Sequence, residues 1–261
     1  MRAALEVTVD SPGGARAARD GGADRVELCA ALELGGLTPS AGALAACLEV
    51  ERALPVHVLV RPRPGGFTYD AEELATSLRD VEAAVAGGAA GVVVGALRAS
   101  GDGDRLVLDE AFLAEAAARA RAVRADVEVV LHRAVDQLAS PSRAVAALAG
   151  CGVDRVLTSG GAVRAADGLA ELAATAAAGR AAGVEVMAGA GVRPEQVAAL
   201  VGAGVHAVHL SARRPVRAAG PQVAVGPADD GGHAETDPAL VAAVRAALDA
   251  LDALDALDAL P

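Results

Sequence analysis

One short pattern recurs along this chain and limits what it can fold into. It is a glycine, then Ala or Val, a spacer, and an apolar run too short for a helix. It reads GADRVEL from Gly22, GAAGVVV from Gly88, GVDRVLT from Gly152 and GVHAVHL from Gly204, with a related copy, GVEVMAG, from Gly183. Each glycine follows an Ala-rich helical segment, where it can take the left-handed conformation that ends a helix. Each apolar run then reads as a buried strand. Residues 4–8, 56–60 and 128–132 add three more, giving eight strands. Helical segments fill the gaps at 14–20, 41–52, 71–86, 109–124, 141–149, 164–182, 194–201 and 238–251. Strict alternation of strand and helix means a parallel sheet covered by helices. Eight such units in 261 residues match a closed (β/α)8 TIM barrel, an α/β fold built as a single domain. A doubly wound open sheet is the alternative, but no GxGxxG fingerprint follows the first strand.

The barrel is expected to occupy residues 1–251. Within it, residues 213–237 read as a long Pro- and Gly-containing loop after strand eight. Residues 252–261 read as a low-complexity tail extending the last helix. Its leucines recur every three residues, a spacing that walks around a helix and forms no single stripe.

Composition removes several classes of function. With Phe67, Phe112 and Tyr69 as the only aromatic residues, no stacking platform for single-stranded nucleic acid is available. A formal net charge of -11 repels a phosphate backbone, so no nucleic-acid partner is expected. No run of 18 apolar residues appears and the N-terminus has no apolar h-region, so no membrane partner is expected either. Cys29, Cys47 and Cys151 are odd in number and lack C-x-x-C spacing. That pattern disfavours a disulfide framework or structural zinc and fits reduced thiols in the cytoplasm.

In such barrels the chemistry sits at the C-terminal ends of the strands. Asp10 and Ser11 follow strand one, Glu27 and Cys29 lie on strand two, and Arg61 and Arg63 follow strand three. Strand five ends in His132, Arg133 and Asp136, strand six in Thr158, Ser159, Gly160 and Gly161, and strand seven in Gly189, Ala190 and Gly191. Strand eight contributes His209 and Ser211, and only strand four ends blandly, at Gly95 and Ala96. Strand parity turns Glu27 and Cys29 to one face, and likewise His209 and Ser211. Adjacent strands place Arg61 within reach of Glu27, and a Glu27–Arg61 pair would lower the cost of burying both charges. The candidate catalytic set is therefore Glu27, Arg61, His132, Arg133 and His209. The glycine-rich turns after strands six and seven, with Ser211, offer backbone N–H groups to an anion at Ser159, Gly160, Gly191 and Ser211. His57 and His206 lie at the opposite ends of their strands and read as structural or exposed, and Met187 as core. His233 lies in the long loop.

Several blocks in order, GADRVELCA, GGLTPS, RPRPGGFTYD, LHRAVD, RVLTSGG, MAGAGVRPE and VH-x-S at 208–211, make this chain resemble the copper-homeostasis protein family CutC over residues 5–211. The resemblance implies a cytosolic TIM-type barrel that self-associates, a link to copper handling, and Cys29 as the metal ligand. Copper enters through the resemblance alone. Family members are expected to carry a strand-one cysteine facing the ELC block; here Thr8 stands in that place, and Thr68 stands where GGFTYD can carry another. Since Cu(I) prefers clustered thiolates and thioethers, Cys29 would need help from His132 or His209. Three functions compete on these residues. The first is a copper-binding protein. The second is a barrel-mouth enzyme on a small anionic, phosphorylated or unphosphorylated, metabolite, with His132 or Glu27 as acid or base and Arg61 and Arg133 orienting the anion. The third is a scaffold.

Overall fold

Eight short parallel strands close on themselves in chain order: β1 (Ala4–Val9), β2 (Arg25–Leu28), β3 (Val56–Leu59), β4 (Gly91–Val94), β5 (Glu128–Leu131), β6 (Arg155–Thr158), β7 (Glu185–Gly189) and β8 (Ala207–Leu210), with β8 paired to β1. The computed structural model describes residues 2–217 and 232–258. All five glycines of the repeat, Gly22, Gly88, Gly152, Gly183 and Gly204, have positive φ between 73 and 101°. They turn the chain from each helix into the next strand at a backbone conformation a side chain would strain.

The helices are α1 (Pro12–Asp20), α2 (Ala41–Leu48), α3 (Ala71–Ala86), α4 (Glu110–Val123), α5 (Pro141–Ala146), α6 (Leu169–Ala182), α7 (Val197–Gly202) and α8 (Pro238–Asp258). The starts of α1 to α5 are set by side-chain caps from Ser11, Ser40, Asp70, Asp109 and Ser140, each accepting a hydrogen bond from an otherwise orphan N–H. The tail continues α8 without a break to Asp258, and residues 259–261 lie outside the described residues. Among the described residues no helix is long and apolar enough to cross a membrane.

Strand parity divides the core in two. Leu5, Val7, Val9, Val26, Leu28, Val92 and Val94 face the helices in one large apolar cluster. Inside the barrel, Cys29, Leu59, Val93, Val130, Leu157, Met187 and Ala207 form a separate apolar cluster. At the N-terminal end of the strands Arg155 closes the interior, bonding Glu128 at 2.6 Å and Glu185 at 2.6 Å. His57 is buried there beside Glu128, and His206 accepts from the Val186 N–H, so both are structural. Two antiparallel ribbons have no counterpart in the eight-unit sequence pattern. Leu97–Ala99 pairs with Leu106–Leu108, and Arg213–Arg217 with Gly232–Thr236. The second ribbon replaces the outer arms of the expected 213–237 loop. It is tied to the barrel by Arg213, which bonds the Ala234 carbonyl at 2.8 Å and pairs with Asp10 at 3.1 Å. His233 lies on it, paired with Glu235. The loop's centre, 218–231, lies outside the described residues.

Candidate active site

The first and last strands hold a continuous polar chain inside the barrel. Glu6 and Thr8, two apart on β1, both point inward. Arg25 on β2 bonds Glu6 at 2.5 Å. The other Glu6 oxygen meets His209 Nδ1 at 2.7 Å, and His209 Nε2 lies 2.7 Å from the Thr8 hydroxyl. Thr8 in turn donates to Glu27 at 3.1 Å, with His209 Nε2 also 3.5 Å from the same carboxylate oxygen. Burial alone would raise the Glu6 pKa, but the hydrogen bond from His209 and the charge of Arg25 hold it well below the usual carboxylate range. His209 shifts the other way. Burial opposes its charge, yet the bond to Glu6 and the nearby Glu27 carboxylate raise its pKa. Glu27 is pushed up by burial and by the Glu6 charge. An ionised carboxylate, an imidazole, a hydroxyl and a second carboxylate of raised pKa thus stand in one line. Gly189 on β7 leaves room for this, since a Cβ there would meet Leu157 at 2.6 Å and His209 at 3.3 Å.

This line opens on a cavity of about 130 Å³ at the C-terminal mouth, lined by Thr8, Glu27, Cys29 and His209 on one side and by Arg61, Phe67 and His132 on the other. The expected Glu27–Arg61 pair does not form. Glu27 is paired in register with His57, which sets Arg61 four residues further along β3's path. The Arg61 guanidinium bonds the carbonyls of Leu34 (3.2 Å), Gly36 (2.9 Å) and Gly65 (2.8 Å), and its Nε has no hydrogen-bond partner among the described residues. The GGLTPS and RPRPGG loops therefore fold around Arg61, and Thr38 also bonds its main chain.

His132 faces Arg61 across β4. Its Nδ1 accepts from the Ala134 N–H at 3.2 Å, which places the ring proton on Nε2, and Nε2 has no partner among the described residues. Burial, and then the Arg61 charge, push its pKa down to about 3, so the ring stays neutral. Phe67 packs against both, 4.7 Å from the His132 ring centre and 5.1 Å from the Arg61 guanidinium carbon. The bland end of strand four is what makes this possible. A Cβ on Gly95 would lie 2.5 Å from His132 Cε1. Gly95→Ala is expected to cost about 1–3 kcal/mol in urea unfolding and to shift the His132 ring resonances; an unmoved ring would contradict the contact. Phe67 and Gly95 carry no sequence signal of a site, because an aromatic in a loop and a glycine after a strand are both ordinary.

The turn expected to bind an anion is closed by the protein itself. The Asp136 carboxylate accepts from Ser159 N–H (3.0 Å), the Ser159 hydroxyl (3.0 Å), Gly161 N–H (3.1 Å) and the Thr158 hydroxyl. Gly160 N–H is used by the Thr158 hydroxyl. Arg133 completes the cluster, pairing with Asp136 at 2.8 Å and donating to Ser159 at 3.0 Å, while it also borders the cavity. Ser211 lies apart, lining a second depression with Asp10, Glu33 and Arg213, and Gly191 lies beside Arg164. Ser159 and Gly160 thus have internal partners in Asp136 and Thr158, while Gly191 and Ser211 border other surroundings.

The residues near Cys29 do not fit copper. Its thiol is fully buried, and burial, followed by the Glu27 charge, pushes its pKa far up and away from the thiolate a Cu(I) site needs. Thr8 spends its hydroxyl on Glu27 and His209, and Met187 is core, contacted by Arg25. Cys47 is buried elsewhere and Cys151 lies at the far end of the barrel. Among the described residues no three His, Cys, Asp or Glu side chains form a metal-holding group.

Fold and site define a (β/α)8 barrel with a buried carboxylate–imidazole line opening on its C-terminal mouth. The CutC family model matches residues 3–214. The chain belongs to the CutC family. A CutC family protein of Xanthomonas campestris pv. campestris (strain B100) is 45% identical over 217 residues, covering 82% of this chain and 85% of its own. That of Caulobacter vibrioides (strain NA1000 / CB15N) is 43% identical over 227 residues, covering 86% and 87%. In solved structures, a candidate copper homeostasis protein, CutC from Streptococcus agalactiae, superposes with a TM-score of 0.68 at 24% identity, covering 80% of this chain and 98% of its own. Thiamine phosphate pyrophosphorylase from Pyrococcus furiosus reaches 0.56 at 15% identity, covering 95% and 96%. These last two likenesses are of fold.

Proposed function

We propose that this CutC family member binds a small anionic molecule at its barrel mouth and moves a proton on it. The observation carrying this reading is the line Glu6–His209–Thr8–Glu27 ending at the cavity. Glu6, kept ionised by Arg25, accepts from His209 Nδ1 and so turns Nε2 toward Thr8. A proton taken by Glu27 from a bound molecule can be exchanged with Nε2 through the Thr8 hydroxyl, which accepts from one neighbour as it donates to the other. Burial and the Glu6 charge raise the pKa of Glu27, and the bond to Glu6 with the nearby Glu27 carboxylate raises that of His209, so each holds a proton more readily than it would in water. Buried groups whose pKa values are shifted by specific partners in a cleft are what acid–base sites are made of.

Incubation in D2O with a panel of small 2-oxo and 2-hydroxy acids and their phosphorylated analogues, followed by proton NMR, tests the reading. Exchange of an activated C–H in one of them is expected, and Glu27→Gln should slow it about 100-fold or more. Exchange in none, or exchange unaffected by Glu27→Gln, would reject it.

Copper belongs to the family's name, and it forms the second reading. Stoichiometric Cu(I) binding under anaerobic conditions that is lost in Cys29→Ser would favour it over proton transfer. A cytoplasmic setting is supported by three free cysteines.

A further inference from the structure

We propose that the anion recognised at this mouth is a single carboxylate, held between Arg61 Nε–H and His132 Nε2–H with Phe67 as its apolar floor. The proposal rests on the reading of the mouth as a ligand site and names what that ligand presents.

Two buried donors point to it independently. Arg61 and His132 are 6% and 5% exposed, both line the cavity, and each leaves one N–H without a partner among the described residues. A buried donor without a partner is costly, so two of them on residues that line one cavity mark a place where acceptor atoms belong. The register brings them together. Leu59 pairs with Val93 and Val94 with Leu131, so Arg61, Gly95 and His132 fall in one row across three adjacent strands. Gly95, lacking a side chain, clears the ground between them.

Charge and donor count narrow the chemistry. The other cations at the mouth are already matched, Arg133 by Asp136 and His209 by Glu6. The groups around the Arg61 guanidinium are neutral, three carbonyls and the Tyr69 hydroxyl, so one buried positive charge is uncompensated by a carboxylate. His132 adds a donor but no charge, because its ring is neutral. One charge and two free N–H groups match a monovalent group with two acceptor oxygens. A phosphate would bring up to two charges and three oxygens. The turn that would serve it has its N–H groups filled by Asp136. Size agrees: about 130 Å³ is close to a cavity that accepts benzene. The ligand is therefore a carboxylic acid with about as many non-hydrogen atoms as pyruvate or lactate. Seated on this wall, it turns the rest of its length toward Glu27 and Thr8.

Titration of the full chain with acetate, pyruvate and inorganic phosphate, read by the His132 Nε2–H resonance and by calorimetry, tests this. Pyruvate should bind and shift that resonance, acetate should bind more weakly, and phosphate should leave it in place. Arg61→Met should weaken pyruvate at least tenfold. Should that variant fail to fold, His132→Phe keeps an aromatic ring against Phe67, removes the donor, and should also weaken binding. Phosphate binding more tightly than pyruvate, no carboxylate binding, or pyruvate affinity unchanged in the variants would overturn the proposal. Pyruvate binding retained in Glu27→Gln without any C–H exchange would uphold the carboxylate seat and sink proton transfer. Exchange on compounds lacking a carboxylate would do the reverse.

Discussion

Replacing Glu6 with alanine is expected to destabilise the protein by about 3–5 kcal/mol, because it strands Arg25 and His209 in the interior without their counter-charge. Glu6 is 1% exposed, so bulk water does not screen the charges it would leave behind. Glu6→Gln retains the shape and some hydrogen bonding but removes the charge, and its signature is in the pH dependence. Glu6 has a lowered pKa when folded, so its contribution is present above the unfolded value near 4.5 and fades as pH falls toward the folded one. His209 has a raised pKa, so its contribution is full below about 6.5 and is lost as pH rises through the folded value. The pair therefore contributes most between those two values. In Glu6→Gln both limbs should flatten, and the His209 ring should titrate at lower pH. Urea unfolding from pH 4 to 8 and imidazole NMR read both effects. A profile superposing on that of the parent chain would contradict the coupling.

Asp136→Ala is expected to have an effect of similar size, about 3–5 kcal/mol, since it leaves Arg133 and the donors of Thr158, Ser159 and Gly161 without their shared acceptor. The variant should also acquire what the parent chain lacks. With the internal carboxylate gone, the same N–H groups and guanidinium face a cavity shaped for an anion. Sulfate or phosphate should then raise the unfolding temperature of Asp136→Ala more than that of the parent chain, by the ordinary linkage of binding to stability. Equal shifts in both proteins would show that the turn collapses without its carboxylate.

The repeat was legible because its glycines obey a local rule: a helix that ends in a left-handed residue before a strand needs no distant information. The (β/α)8 barrel followed from counting those units, and the family from the order of the blocks. The ring of polar residues at the strand ends was legible too, from parity and polarity. Pairing within the ring was not. Glu27 and Arg61 sit on neighbouring strands, yet the register offsets them, and register in a barrel depends on closure that no single segment encodes. Glu6 gives no local sign of its importance, since LEVTV reads as an ordinary strand and the partner His209 lies 203 residues away. The use of Asp136 as an internal anion was hidden for a related reason. A carboxylate one loop away is as good an acceptor as a phosphate, and only the folded turn shows which one is there.

The joining of β1 to β8 also decides when the polar line at the mouth is complete. His209 is made 203 residues after Glu6. Until the last strand docks beside the first, the imidazole has no carboxylate to orient it and Glu27 has no hydroxyl bridge to it. The polar line is thus complete only when the last strand docks: a chain that lacks residue 209, or one whose final strand has slipped out, lacks the imidazole that joins Glu6 to Thr8.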